Sequence, residues 1–195
     1  MDDRRARIER RTNETQIVVE LALDGEGRAE VSTGLGFLDH MLGSLARHAR
    51  MDLALRCTGD LHVDDHHTVE DCALALGRAL DEALGERRGI VRFGSAYAPL
   101  DEALARAVVD LSGRAHAEVD LGLERHVVGD VAAENLDHAF RSLAAGGRIT
   151  LHVDVLRGRN DHHRAEAAFK ALSLALREAV GRDGSDDVPS TKGVL

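Results

Sequence analysis

The sequence predicts an α+β fold made of two similar βα halves from an internal duplication, with mostly antiparallel sheets covered by helices. Three observations carry that prediction. Asp65-His66-His67-Thr68-Val69-Glu70 returns as Asp161-His162-His163-Arg164-Ala165-Glu166. Leu38-Asp39-His40 returns as Leu136-Asp137-His138. Segments of period-two alternation and of helical period interleave along the chain, separated by hairpin-like turns. The paired motifs lie 96 and 98 residues apart, so each half holds roughly 90 residues. The expected units are a first half at 1–91, a second at 92–183 and a tail at 184–195.

Residues 15–23 alternate, with Ile17, Val19, Leu21 and Leu23 on one face of a strand. Asp24-Gly25-Glu26-Gly27 reads as a turn and residues 29–33 as the returning strand. Gly34 and Gly36 break the pattern. A helix is expected over 37–50, with Leu38, Met41, Leu42, Leu45 and Ala49 on its buried side and His40, Ser44 and His48 on a separate polar stripe. Residues 53–57 read as a short strand and Thr58-Gly59-Asp60 as a turn. Residues 69–84 form a helix carried by Leu74, Leu76, Leu80 and Leu84.

The second half repeats this order. Strands are expected at 107–111 and 115–121 around a Ser112-Gly113 turn, and a helix carrying His138 at 134–143. Ile149, Leu151, Val153 and Val155 alternate as a strand. Residues 157–160 are a loop, and 163–180 the last long helix. From Gly181 the chain turns polar and reads as a mobile or partner-docked tail.

Bulk properties narrow the function. The chain has 195 residues, 44% of them hydrophobic, ample for a packed globule. A net charge of -9 disfavours general nucleic-acid binding, and one Tyr with no Trp leaves no stacking platform for single strands. The charged start lacks an apolar segment, so no secretory leader is expected, and nothing approaches the ~20 apolar residues that span a bilayer. A cytoplasmic protein follows, with Cys57 and Cys72 as reduced thiols.

The duplicated motif places six histidines and two glutamates at matched positions, donors that suit Mn, Fe, Co, Ni or Zn. His66 or His67 can share a helix face with Glu70, being four and three residues away. Neighbouring helical residues diverge by about 100°, so unless the helix start is distorted the simplest solution gives His66 and His67 to different ions, and likewise His162 and His163. Two ions sharing His40, His66, His67, Glu70, His138, His162, His163 and Glu166 would have four protein ligands each. An octahedral ion then keeps two positions open, the mark of a catalytic site. One His-His pair at a helix start can be a capping feature. Two copies, each with a matching upstream His, have no packing reason to recur. Most of the other histidines (His62, His116, His126, His152) read as surface or strand residues, and His48 alone shares the stripe of His40.

The chain resembles the imidazoleglycerol-phosphate dehydratase family over nearly its full length. The matching segments include Thr12-Asn13-Glu14-Thr15, Phe37-Leu38-Asp39-His40, the two His-His motifs, Arg92-Phe93-Gly94 and Pro99-Leu100-Asp101-Glu102-Ala103. Asp110-Leu111-Ser112-Gly113-Arg114 and Pro189-Ser190-Thr191-Lys192-Gly193 match as well. The resemblance implies dehydration of D-erythro-imidazole glycerol phosphate to imidazole acetol phosphate in histidine biosynthesis. It implies a ribosomal protein S5 domain 2-like fold, an assembly of 24 identical subunits, and two Mn2+ per subunit at sites between subunits. The ligands would be the eight residues above, and manganese comes from the resemblance alone, because Zn or Cu would bind such donors more tightly. Glu14 would match the acid/base glutamate and also contact substrate. His48, Arg92, Arg114, Lys170, Ser190, Thr191 and Lys192 would bind substrate and its phosphate, bringing the tail to the site. A Lewis acid on the ring nitrogen would help expel hydroxide while Glu14 moves the proton. The family's Pro and aromatic after Gly113-Arg114 are replaced by Ala115 and His116, which is expected to loosen the strand start.

Two other readings compete. A di-metal phosphoester hydrolase would lean on bridging carboxylates, which six His and two Glu do not obviously supply. A non-catalytic metal-bridged assembly protein would be indifferent to loss of Glu14.

Overall fold

The computed structural model describes residues 4–195. The first half runs β1 (Arg5–Arg11), β2 (Thr15–Ala22), β3 (Ala29–Ser32), α1 (Gly36–Ala49), β4 (Asp52–Gly59) and α2 (His66–Leu84). The second runs β5 (Phe93–Leu100), β6 (Ala103–Asp110), β7 (His116–Asp120), a small hairpin of β8 (Val127–Val128) and β9 (Val131–Ala132), then α3 (Ala133–Gly147), β10 (Thr150–Arg157) and α4 (Asp161–Ala179). Apart from that hairpin the halves have one topology. Their four-stranded sheets are ordered β1-β2-β4-β3 and β5-β6-β10-β7.

Most pairings are antiparallel, but β3 runs parallel to β4 and β7 parallel to β10. The expected return of β3 onto β2 therefore does not occur. A parallel pair needs a long crossover, and α1 and α3 supply it. The Asp52 carboxylate accepts the amides of Glu26 and Arg28 at 2.8 and 2.9 Å, and Leu53 donates to the Arg28 carbonyl, which steers the chain beside β4. Likewise β6 and β7 do not pair across Ser112-Gly113, because β10 lies between them. β7 starts at His116, one residue later than expected, and the His116 amide donates to the Ile149 carbonyl at 3.0 Å.

Each sheet turns one face to the helices. Ile17, Val19 and Leu21 are buried, while the residues between them point outward. α1 and α2 cover the first sheet, α3 and α4 the second, and the helices then pair across the halves, α2 with α3 and α1 with α4. Leu76, Phe140, Leu143, Phe169 and Leu172 help close that junction to a void of only about 10 Å³. One apolar cluster thus runs through both halves. The α2–α3 contact is close because Gly77 lies on the backbone of α3, where a Cβ would meet the Leu143 carbonyl and lie 2.6 Å from the Gly147 amide.

Leu74 is half-buried rather than core, and α2 starts earlier than expected, at His66. The tail makes hydrogen bonds with its own chain. Gly89 donates to the Asp187 carbonyl at 2.9 Å, Asp183 to the Gly89 carbonyl at 3.1 Å, and Arg92 to the Pro189 carbonyl at 2.7 Å. Among the described residues no helix is long and apolar enough to cross a membrane. Cys57 and Cys72 are free thiols.

Candidate metal and active site

Both His-His motifs open a helix, and the same local device starts each. The Asp64 side chain accepts the His66 amide at 2.9 Å, and the Asn160 side chain accepts the His162 amide at 2.9 Å. These bonds satisfy amides that a helix start leaves unpaired. In the first turn, the first histidine of each motif and the glutamate four residues later share a face.

The pairing of helices then decides which donors meet. His66 and Glu70 of α2 face His138 of α3, and His162 and Glu166 of α4 face His40 of α1. Within each trio the donor atoms lie within 4.8 Å of one another. His138 Nε2 is 3.1 Å from Glu70, and the His66 and His138 rings stack at 5.0 Å. Glu166 Oε2 lies 3.1 Å from His162 Nε2 and 3.4 Å from His40 Nε2. Each cluster is crossed, with two donors from one half and one from the other. Two imidazoles and a carboxylate converging at this range suit a divalent transition-metal ion, which they would leave with free positions.

His67 and His163 join neither cluster. The His66 and His67 rings diverge by 74°, and those of His162 and His163 by 86°. His67 Nδ1 is 3.0 Å from Asp60, and His163 Nδ1 2.7 Å from Glu102. Such a bond holds the proton on Nδ1 and leaves the Nε2 lone pair free, 3.7 Å from Glu14 in His67 and 4.0 Å from Asp101 in His163. The hydrogen bond to Asp60 raises the His67 pKa, and that to Glu102 raises the His163 pKa. Glu102 is held down to about 2 by His163 and by the Asn160 and Arg159 amides. Burial works against the charge of Glu166, but Lys170 and His40 outweigh it, so this carboxyl titrates below its usual range.

Glu14, in the turn between β1 and β2, reaches within 3.7 Å of His67 Nε2. Its counterpart before β6 is Glu102, and only Glu102 is locked by backbone amides. Lys170 Nζ pairs with Glu166 at 2.7 Å. His48 is exposed next to Lys170, and burial with that charge lowers its pKa. Glu70 and Glu166 each belong to one cluster.

The basic group forms elsewhere. Arg92 grips Asp110 at 2.7 and 3.1 Å while bonding the tail at Pro189. Arg114 donates to the Ser112 carbonyl at 3.4 Å, and Gly113 beside it lies against Leu195. Ser190, Thr191 and Lys192 belong to this tail, where Ser190 Oγ accepts the Lys192 amide at 3.2 Å. Among the described residues no hydrogen bond or ion pair links Arg92, Arg114 or the 190–192 segment to either histidine cluster.

Sequence reasoning missed Asp60, Glu102 and Asn135, whose side-chain oxygen is 2.9 Å from His66 Nδ1. Only Glu102 carried a signal: it stands in the turn before β6 as Glu14 stands before β2.

The sequence model of the imidazoleglycerol-phosphate dehydratase family matches residues 33–176. An imidazoleglycerol-phosphate dehydratase of Phytophthora nicotianae is 62% identical over 98% of this chain, which spans 42% of that longer protein. One of Saccharomyces cerevisiae is 53% identical, with both chains covered completely. A crystal structure of the Pyrococcus furiosus enzyme in complex with (S)-C348 superposes with a TM-score of 0.83 at 39% identity, covering 96% of this chain and all of the other.

Proposed function

The chain belongs to the imidazoleglycerol-phosphate dehydratase family, hydro-lyases of histidine biosynthesis, and from that premise we propose how its residues divide the work. His66, Glu70 and His138 would hold one Mn2+, and His40, His162 and Glu166 a second. His67 and His163, which join neither trio, would complete the sites of neighbouring copies in a 24-subunit homo-oligomer. The observation that carries this reading is the convergence of both trios from opposite halves. Bound there, the ions would supply Lewis-acid polarisation of the substrate's imidazole.

The reaction converts D-erythro-imidazole glycerol phosphate to imidazole acetol phosphate and water. The carbon that becomes the ketone loses its hydrogen as a proton, which the Glu14 carboxylate accepts. The hydroxyl on the ring-side carbon leaves with a proton as water, and the enol formed tautomerises to the ketone. Glu14 suits this role because, unlike Glu102, it is half exposed and free of backbone amides. Arg92, Arg114 and Lys192 would bind the phosphate through charge-assisted bonds, with the Ser190 and Thr191 hydroxyls beside them. Lys170 and His48 would face the substrate from the Glu166 cluster. The units 1–91 and 92–183 would thus share the metal sites, with the tail 184–195 contributing to substrate binding, in a cytoplasmic enzyme.

The test is turnover of imidazole glycerol phosphate by metal-stripped protein titrated with Mn2+. Activity saturating near two ions per chain, and lost in Glu14→Gln with ions and assembly retained, is expected. Full activity in Glu14→Gln, or none in the Mn-loaded parent, would overturn the assignment.

A further inference from the structure

The duplication gives each cluster an internal control. His66, Glu70 and His138 correspond to His162, Glu166 and His40, so any difference around them is a departure from one ancestral arrangement. Two departures stand out. The residue three before the lone histidine is Asn135 on α3 but Phe37 on α1. The residue four after the glutamate is Leu74 on α2 but Lys170 on α4.

Both act in the same direction. Asn135 is only 4% exposed and its Oδ1 lies 2.9 Å from His66 Nδ1. An Nδ1–H donated to this fixed oxygen leaves the Nε2 lone pair aimed at the cluster, the outer-shell arrangement that strengthens a histidine ligand. At the corresponding place Phe37 offers only an aromatic ring, its centroid 5.2 Å from that of His162. Lys170 places a cation 2.7 Å from Glu166 Oε1, whereas Leu74 brings none to Glu70. A carboxylate already balanced by an ammonium attracts an incoming ion less, and the ammonium repels it. Glu166 is the more buried carboxylate, which strengthens electrostatics around it, but that gain applies to the Lys170 contact as well. The outlying histidines do not discriminate, since His67 and His163 each have a carboxylate on Nδ1.

We propose that the two clusters hold metal unequally: His66–Glu70–His138 fills first and His40–His162–Glu166 second, with Asn135 and Lys170 setting the order. The inference rests on the metal reading above. Outer-shell partners each change metal affinity by about 10–100-fold, so the two dissociation constants differ at least ~10-fold. Asn135 is a positioning residue here, acting through His66.

The experiment titrates the metal-stripped full chain with Mn2+, with free ion read by its electron paramagnetic resonance amplitude and assembly monitored by sedimentation. Two classes of one ion each are expected, ~10-fold or more apart. His138→Ala should remove the tighter class and His40→Ala the weaker. Lys170→Met should tighten the weaker class, and Asn135→Ala should weaken the tighter by about 10–100-fold. Two ions of equal intrinsic affinity, or a gap unmoved by both Lys170→Met and Asn135→Ala, would overturn the order and leave the metal reading standing. A parent that binds no Mn2+ would overturn both.

Discussion

Gly77→Ala adds one methyl group where two helices cross, and it is paired with Gly43→Ala, the same change in α1. A Cβ on Gly77 meets the Leu143 carbonyl oxygen and lies 2.6 Å from the Gly147 amide and 2.9 Å from the Gly146 carbonyl carbon. All three are backbone atoms, so no rotamer change relieves the overlap and α2 and α3 must separate. A Cβ on Gly43 has its nearest neighbour, Ala29 Cβ, at 4.0 Å. Both substitutions gain about 1 kcal/mol of helix propensity. Overpacking costs about 1–3 kcal/mol, and a rigid obstacle places Gly77 at the upper end. The net expectation is a loss of ~1–2 kcal/mol for Gly77→Ala and a gain of up to ~1 kcal/mol for Gly43→Ala. For a chain of this size each kcal/mol moves Tm by about 2–4 °C, so the variants should melt on opposite sides of the parent. Metal binding adds a second readout. Separating α2 from α3 draws His138 away from His66 and Glu70 but leaves the α1–α4 cluster in place. A Gly77→Ala protein melting at or above Gly43→Ala would refute the claim that backbone contact sets this helix distance.

Phe140 is 1% exposed, with its ring 4.5 Å from Phe169. Phe140→Ala should cost about 3–5 kcal/mol in urea unfolding at unchanged m, and a loss below about 1 kcal/mol would mean that the helix junction collapses to fill the space. Asp81 accepts from the buried Arg87 at 2.6 Å and from Arg148 at 2.7 and 2.9 Å. Burial raises its pKa, but the arginine bonds outweigh that and the folded value is lowered. Its contribution is therefore present above the unfolded carboxyl pKa of about 3.9 and is lost as pH falls through the lower folded value. Asp81→Asn should cost about 3 kcal/mol at pH 7, the low end for a broken buried pair because Asp81 is partly exposed, and the deficit should vanish in acid. A deficit independent of pH would contradict the pairing. Chelation should lower the sedimentation coefficient along with activity, since ligands at a subunit boundary couple binding to assembly. A verifiably metal-free sample that sediments unchanged would end the interfacial-ligand proposal.

The sequence betrayed those elements that bury one regular face. Ile17, Val19 and Leu21 announced β2, and the leucine and alanine rows announced the four helices. Two edge strands, β1 and β5, did not announce themselves. β1 buries only Ala6 and carries charge along its open face, while β5 buries Gly94 and Ala98 and leaves Phe93 and Tyr97 exposed. A hydrophobic pattern cannot report a strand whose inward residues are that small. The six residues that converge in the two trios were legible because they recur. Their partition was not, because choosing His66 over His67 depends on the angle at which α2 meets α3. Glu102 and Asn135 lie 61 and 69 residues from the histidines they hold, and Asp60, seven residues before His67, is brought to it by the turn after β4, so the pairings come from packing.

The crossed clusters explain why both halves keep their motifs. A half on its own carries a first-turn His and Glu on one helix and a lone His on another, yet these never meet. His40 belongs with His162 and Glu166, and His138 with His66 and Glu70. Neither half can build a three-donor site, and losing one motif damages both sites. The same geometry leaves His67 and His163 outside both trios, each with its Nδ1 held by a carboxylate. In the assembly proposed above, each would offer its Nε2 to an ion outside its own trio. The logic that obliges the halves to complete each other therefore extends, in the proposed assembly, from halves to subunits.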